Sequence, residues 1–289
     1  SFDKQFFFHA PGKGGTSITG LNKGTSTANT YDYLVRGVQR AKSLAAADGK
    51  TYKVPCFTWI HGEQDLSTYM NPATYKNLLT QLQVDIESDV KTISGQTDAV
   101  PCVLTQTASF NRYWMLRNAS NINQKPNPDI SVALYEMALE KPDQFILATT
   151  MYPFEYGLDN VHQRAESAKL TGAYIGYALK KGVLDGASML PIHPVNYVRH
   201  ENMLTVKCHV PVKPLTFDTR QVRFIKNYGF NLYRANSELK IESVEIISED
   251  EIRFVCATNV EAGDVLTYAI NGTTTGALNG ARGNLRDSR

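Results

Sequence analysis

Residues 53–65 read KVPCFTWIHGEQD. Positions 53–60 are mostly apolar; the last five hold an imidazole, two carboxylates and an amide. An apolar run of this length reads as a strand buried on both faces, as strands of parallel sheets are. The polar cluster 61–65 then lies beyond the strand's carboxyl end, where open α/β sheets bind ligands. A plain surface loop is the alternative.

The same alternation extends outward. QFFFHA (5–10) is a strand candidate, followed by the Gly-rich PGKGGTSITG (11–20). Residues 29–48 fit a helix, with Tyr33, Leu34, Val38, Ala41, Leu44 and Ala45 on one face and Gly49 ending it. Asn71-Pro72 starts another helix, whose stripe is Tyr75, Leu78, Leu79, Leu82, Ile86 and Val90. VPCVLTQT (100–107) and QFILATT (144–150) are further strands. One helix follows Pro128, and another runs from about His162 to Lys180, ended by Gly182. Strands alternating with helices predict βαβ units and a parallel sheet. Polar clusters follow each strand on one edge: GKGGTS, HGEQD, TQTASFNR and MYPFEYGLDNVH.

After residue 190 the period changes. MLTVKCHVPV (203–212), VRFIKNYGFNLYR (222–234), LKIESVEIIS (239–248), EIRFVCAT (251–258) and DVLTYAI (264–270) are short strands between turns. Ile241, Val244 and Ile246, then Ile252, Phe254 and Cys256, share a face. This predicts a small antiparallel β-sandwich. The boundary falls at 188/189, giving an α/β domain over 1–188 and a sandwich over 189–289, with a Gly-rich loop at 272–283.

Bulk properties narrow the classes. The 289 residues suit two domains, with 42% hydrophobic and 20% charged residues. A net charge of +2 and no Lys/Arg block give no reason to expect nucleic acid. No apolar run reaches the ~18 residues of a membrane span. Cys56, Cys102, Cys208 and Cys256 lie far apart without a C-x-x-C, so buried thiols are expected rather than zinc ligands. Cys208 and Cys256 are placed so that a pairing across a sheet stays open.

Three constellations carry chemistry. In Asp159-Asn160-Val161-His162, a carboxylate three residues from an imidazole fixes its tautomer, making a general base for a hydroxyl nucleophile. The alternative is that Asp159 caps a helix beginning near Val161. In GKGGTSI (12–18), successive glycines let backbone N–H groups line an oxyanion concavity, or form a plain flexible loop. HGEQD is the third; there Asp65 and Glu63 read equally as braces of the surrounding loops. Gln106, Asn111 and Arg112 line the edge after the third strand. Tyr113, Trp114, Tyr152, Phe154 and Tyr156 either stack on sugar rings or simply pack.

Together these blocks resemble those of the sialate O-acetylesterase-like carbohydrate esterases, a branch of the SGNH/GDSL hydrolases. Gly62-Glu63-Gln64-Asp65 is similar to the family's QGE-x-D block, HAPGKGGTSI to its Gly block, and DNVH to its final D-x-x-H, in the same order over residues 1 to about 182. The resemblance implies a three-layer, flavodoxin-like fold and a serine esterase that removes O-acetyl groups from a polysaccharide. It assigns His162 as base and Asp159 as its orienting carboxylate. Gly15 supplies an oxyanion N–H, joined by Gln64 or Gly62, at about 3–4 kcal/mol per donor. His61, Glu63, Gln106, Arg112 and Tyr152 would contact substrate; no metal or organic cofactor is implied.

Two departures from the family stand out. The family's G-[DQ]-S block, with the nucleophile and the first sheet strand, is not found before QFFFHA. The nucleophile is therefore expected upstream of Ser1, with Ser17 as the fallback. His61 also stands where the family usually has Gln. The C-terminal part resembles sandwich domains attached to such esterases in phage tails, implying an extracellular or virion-surface setting and a possible oligomer or larger virion assembly. Two other functions stay open: an inactive carbohydrate-binding or structural tail module on the same fold, and a phosphoester or lipid hydrolase.

Overall fold

The computed structural model describes residues 5–25, 29–107, 125–159, 161–270 and 282–288. Three parallel strands, β1 (Phe57–Trp59), β2 (Cys102–Gln106) and β3 (Phe145–Thr150), pair in the order β1-β2-β3. Thr58 lies opposite Val103, and Val103 opposite Ile146. Because side chains alternate along a strand, Cys102, Leu104, Phe145 and Leu147 share one face. They pack in one cluster with Leu79, Leu82 and Ile86 of α3 (Pro72–Ser94) and Leu134 and Met137 of α4 (Asp129–Glu140). Val103, Ile146 and Ala148 face the other way, onto Ala178 at the end of α5 (Ala165–Ala178). Helices thus cover both faces. α1 (Thr30–Ala47) adds Tyr31 and Val38 to the α3 side. Asn71 starts α3 as expected, its Oδ1 accepting from the N–H groups of Ala73 and Thr74 with Pro72 behind it.

Residues 5–10 do not form the expected strand. Phe6, Phe7 and Phe8 are 52%, 58% and 84% exposed. The segment is fastened to α1 instead: His9 Nε2 donates to the Tyr33 carbonyl at 2.9 Å, and its ring lies against Gly37. Three phenylalanines favour extended backbone, but a strand also needs a ladder, and these residues take no place in the sheet order of the described residues. β1 is correspondingly short and half-exposed, for it is an edge of that order. Ahead of β1 the Gln96 amide stands in for a ladder, bonding both Val54 N–H (2.9 Å) and Val54 C=O (3.0 Å).

Gly182 does not end the last helix. α5 continues as a π-helical stretch over Leu179–Leu184, and Gly182 lies within it. A Cβ there would stand 2.8 Å from Met189 and 3.1 Å from Ile146. Close approach to the sheet explains that glycine.

The C-terminal part is antiparallel. β4 (His193–His200), β5 (Met203–His209), β10 (Glu251–Cys256) and β9 (Ile241–Ile246) form one sheet in the order β4-β5-β10-β9. A second sheet, in the order β11-β7-β8, holds β7 (Phe230–Arg234), β8 (Ser237–Leu239) and β11 (Val265–Tyr268); β6 (Thr216–Phe217) pairs β12 (Leu285–Arg286). Leu204, Ile252 and Phe254 share a core with Phe230, Leu232 and Leu285. A β-bulge places Val255 opposite Ser243 but Cys256 opposite Ile241. That extra residue is why Ile241 and Val244, three apart, belong to one apolar set. Cys208 and Cys256 are unpaired thiols at opposite ends of the β5–β10 ladder, bonded through their N–H groups to Asp250 and Asn202. Burial pushes the Cys208 thiol up to about 11. No helix among the described residues is long and apolar enough to cross a membrane.

Candidate active site

The Gly-rich loop and the HGEQD stretch are locked together by one buried carboxylate. Asp65, in the short helix α2 (Glu63–Ser67), is fully buried. Its Oδ1 accepts from Ser17 Oγ at 2.5 Å, and the carboxylate also accepts from Ile18 N–H at 3.2 Å. His61 Nε2 lies 3.4 Å from its other oxygen and donates to the Thr16 carbonyl at 2.9 Å. The remaining polar atoms fit one proton arrangement. Trp59 Nε1–H donates to Tyr75 Oη (3.0 Å), and Tyr75 O–H donates to His61 Nδ1 (3.0 Å). Nε2 must then carry the imidazole proton. Burial pushes the Tyr75 phenol far above its ordinary range, which keeps it a donor.

This network gives Ser17 and His61 structural occupations. The Ser17 hydroxyl is spent on Asp65, and both His61 ring nitrogens are spent within the protein. Gly15, just before the locked segment, is exposed with φ +67°, a left-handed conformation suited to glycine. Gly62 has φ +135° and caps α2. A Cβ on it would approach Ile130 to 3.0 Å and Thr107 to 3.1 Å. Gln64 is half-buried in the first turn of α2. Glu63 accepts from Thr107 Oγ1 at 2.9 Å.

The D-x-x-H residues sit at the tip of a small hairpin. Tyr156 bridges Gln163, Gly157 N–H donates to the His162 carbonyl (2.8 Å), and Arg164 N–H to the Glu155 carbonyl (3.2 Å). Asp159 Oδ2 meets His162 Nδ1 at 2.7 Å, while Oδ1 accepts from the N–H groups of Val161 (3.0 Å) and His162 (3.1 Å). Asp159 therefore both shapes the turn and orients the imidazole. It does not cap a helix at Val161, because α5 starts at Ala165 behind Arg164. The His162 ring and the adjacent N–H groups hold the Asp159 carboxyl down at about 2. The His162 side chain is 85% exposed, which turns Nε2 outward to solvent.

The other expected contacts divide. Gln106 Nε2 donates to the Ser131 carbonyl at 3.0 Å, tying the end of β2 to α4. Tyr152 is drawn to the C-terminal segment: its hydroxyl donates to the Leu285 carbonyl (2.8 Å) and its ring meets Tyr268 edge-on. Phe154 and Tyr156 are buried at 5% and 0% exposure and pack together with Met151. These aromatics pack, and none presents a face to a sugar. Asn111, Arg112, Tyr113 and Trp114 lie outside the described residues, as do Asn160 and most of the 272–283 loop. Among the described residues no cluster of three or more His, Cys, Asp or Glu is grouped to hold a metal.

Two residues at this edge had no motif to announce them. Tyr75 was visible only as part of an apolar stripe. Arg282 comes from the C-terminal segment and is buried at 3% exposure, with its guanidinium 5.3 Å from the centre of the Tyr156 ring.

No protein-family model and no curated protein matches the chain. Among solved structures, a carbohydrate acetylesterase from Xanthomonas citri aligns with a TM-score of 0.60 at 11% identity, over 95% of this chain and 57% of that one. The S-layer protein rSbsC aligns at a TM-score of 0.23 and 12% identity, over 90% of this chain and 32% of that one, which is too low to indicate a common fold. The chain thus spans little more than half the length of the acetylesterase it resembles, and what it shares with that enzyme is a fold.

Proposed function

We propose that the protein is a carbohydrate O-acetylesterase of the SGNH type, a serine hydrolase that removes acetyl groups from a polysaccharide. The observation that carries this reading is the Asp159–His162 pair, bonded at 2.7 Å on an exposed hairpin tip beside the carboxyl edge of a parallel sheet. The fold shared with a carbohydrate acetylesterase supports it. In this reading residues 1–188 carry the base and the oxyanion donors, and 189–289 form an accessory β unit. The protein acts outside the cell or on a virion surface.

The nucleophile is taken, from the family resemblance, to be a serine upstream of Ser1; the Ser17 hydroxyl, bonded to Asp65, is occupied. Its Oγ attacks the acetyl carbonyl while its proton passes to His162 Nε2. Asp159 holds Nδ1–H and stabilises the imidazolium. The Gly15 N–H, with a donor from Gly62 or Gln64, receives the charge on the carbonyl oxygen. Collapse expels the sugar oxygen, which takes the proton from His162. Water then attacks the acyl-enzyme with His162 again as base, and acetate leaves.

Acetate release from acetylated sugars, but not from long-chain acyl esters, is the expected activity of the full-length protein. A fluorophosphonate adduct in its intact mass is expected alongside. His162→Ala lowers kcat by about 10²–10⁴-fold. Full activity in His162→Ala refutes the site assignment. Turnover of long-chain or phosphate esters instead points to a different hydrolase.

A second reading, a carbohydrate-binding module without catalysis, is favoured by an open groove of about 780 Å³ on the antiparallel part. Tyr197, 64% exposed, lies there with Arg199, Glu201 and Asn259, a mixture of aromatic face and planar polar groups suited to a sugar. Glycan binding with no acetate release and no adduct selects it.

A further inference from the structure

The C-terminal segment reaches the loop that carries the proposed base. Arg282 is nearly fully buried, and a guanidinium is dehydrated only where its surroundings replace water. Its Nη1 donates to the Tyr152 carbonyl at 3.4 Å, and its guanidinium carbon lies over the Tyr156 ring, 5.3 Å from the centroid. Glu155, on the same loop, acts on it electrostatically. These contacts all fall within 152–156, the stretch that feeds the hairpin.

The hairpin's two arms are held from α5, with Glu155 N–H donating to Ser167 Oγ at 2.9 Å and Thr171 Oγ1 donating to Gln163 at 3.0 Å, and from the C-terminal segment through Arg282. Its tip is exposed, with Leu158 at 84% and the His162 side chain at 85%. Tyr156 is the fully buried residue at its base and forms the bridge to Gln163 that aligns the two arms. Asp159 shapes the turn locally, while where Tyr156 sits aligns the arms that carry it, and the Arg282 guanidinium lies over the Tyr156 ring. Tyr152 strengthens the same junction through Leu285.

We infer that Arg282 is a positioning residue for His162: the C-terminal segment, by setting its guanidinium over Tyr156, helps hold the hairpin that presents the Asp159–His162 pair. As a statement about catalysis this rests on the proposed function. As a statement about the geometry of the pair it stands by itself. A general base is effective only within a fraction of an ångström of its working place, so a support buried behind it governs turnover more than binding.

The test is the imidazole ¹H–¹⁵N spectrum of the full chain, with the His162 signal assigned by its loss in His162→Asn. In the wild type His162 shows one tautomer, protonated on Nδ1, read from the long-range couplings of its carbon-bound ring protons to the ring nitrogens. Arg282→Met is expected to mix the tautomers, while lowering kcat for acetate release about tenfold with KM nearly unchanged. Arg282→Lys keeps the charge but not the guanidinium, so an intermediate tautomer ratio is expected. It also serves as the readout where Arg282→Met does not fold. An unchanged tautomer signal in whichever variant folds overturns the proposal. If Asp159→Asn also leaves the signal unchanged, the pair is not formed, and the proposal and the functional reading fall together. If His162→Ala retains esterase activity, the functional reading falls alone, and the imidazole spectrum still decides the role of Arg282.

Discussion

Asp65 and Asp159 occupy the two loops richest in chemistry, and their surroundings give them opposite tasks. Asp65 is fully buried with Ser17 Oγ–H, Ile18 N–H and the His61 ring on its oxygens. A carboxylate so surrounded has no capacity left for a substrate. Asp65→Asn replaces one acceptor oxygen with an NH₂ group facing the donors, and a loss of about 2–3 kcal/mol in urea unfolding is expected. A change within about 0.5 kcal/mol refutes the brace. Asp159 is exposed and spends one oxygen on its turn and the other on His162. Its carboxyl is depressed from 3.8 to about 2, so the pair's small contribution to stability is complete above pH 3.8 and is lost as pH falls toward 2. A ¹³C titration of the Asp159 carboxyl reads this directly, and a midpoint at or above 3.8 shows the bond absent. The residue types for a base pair and a loop brace were legible along the chain. Which carboxylate faced inward was not, because that depends on Ser17 and Ile18 folding across from a separate loop.

At the scale of elements, periodicity served long segments and failed at edges. α1, α3 and α4 carry apolar stripes; Asn71 and Pro72 start α3, and α4 follows Pro128. Residues 5–10 carry a strand composition but take no place in the sheets of the described residues. β4 went unread because seven of its eight residues are exposed, leaving no alternation to see. Gly62 shows how a motif glycine acquires its reason from packing. Its φ of +135° and the 3.0 Å that would separate a Cβ from Ile130 both exclude a side chain. Gly62→Ala is expected to cost about 2 kcal/mol and to lower the melting temperature. An unshifted melt shows that this turn relaxes freely.

For the whole molecule, two kinds of layer meet at a polar junction. The parallel sheet has its helices on both faces, the antiparallel sheets have their own core, and Tyr135, Tyr152 and Arg282 join the two through main-chain carbonyls. The change of apolar period near residue 190 was enough to foresee an α/β part followed by a β part, since helices and strands bury different spacings of the chain. The same spacings located HGEQD and D-x-x-H at strand ends. They could not reveal that His61 and Ser17 are turned inward, that β1 ends the strand order of the described residues, or that Arg282 lies over the Tyr156 ring at the base of the D-x-x-H hairpin. Periodicity is a property of neighbours along the chain, whereas those features arise from groups brought together across it, and only the packed fold sets their distances.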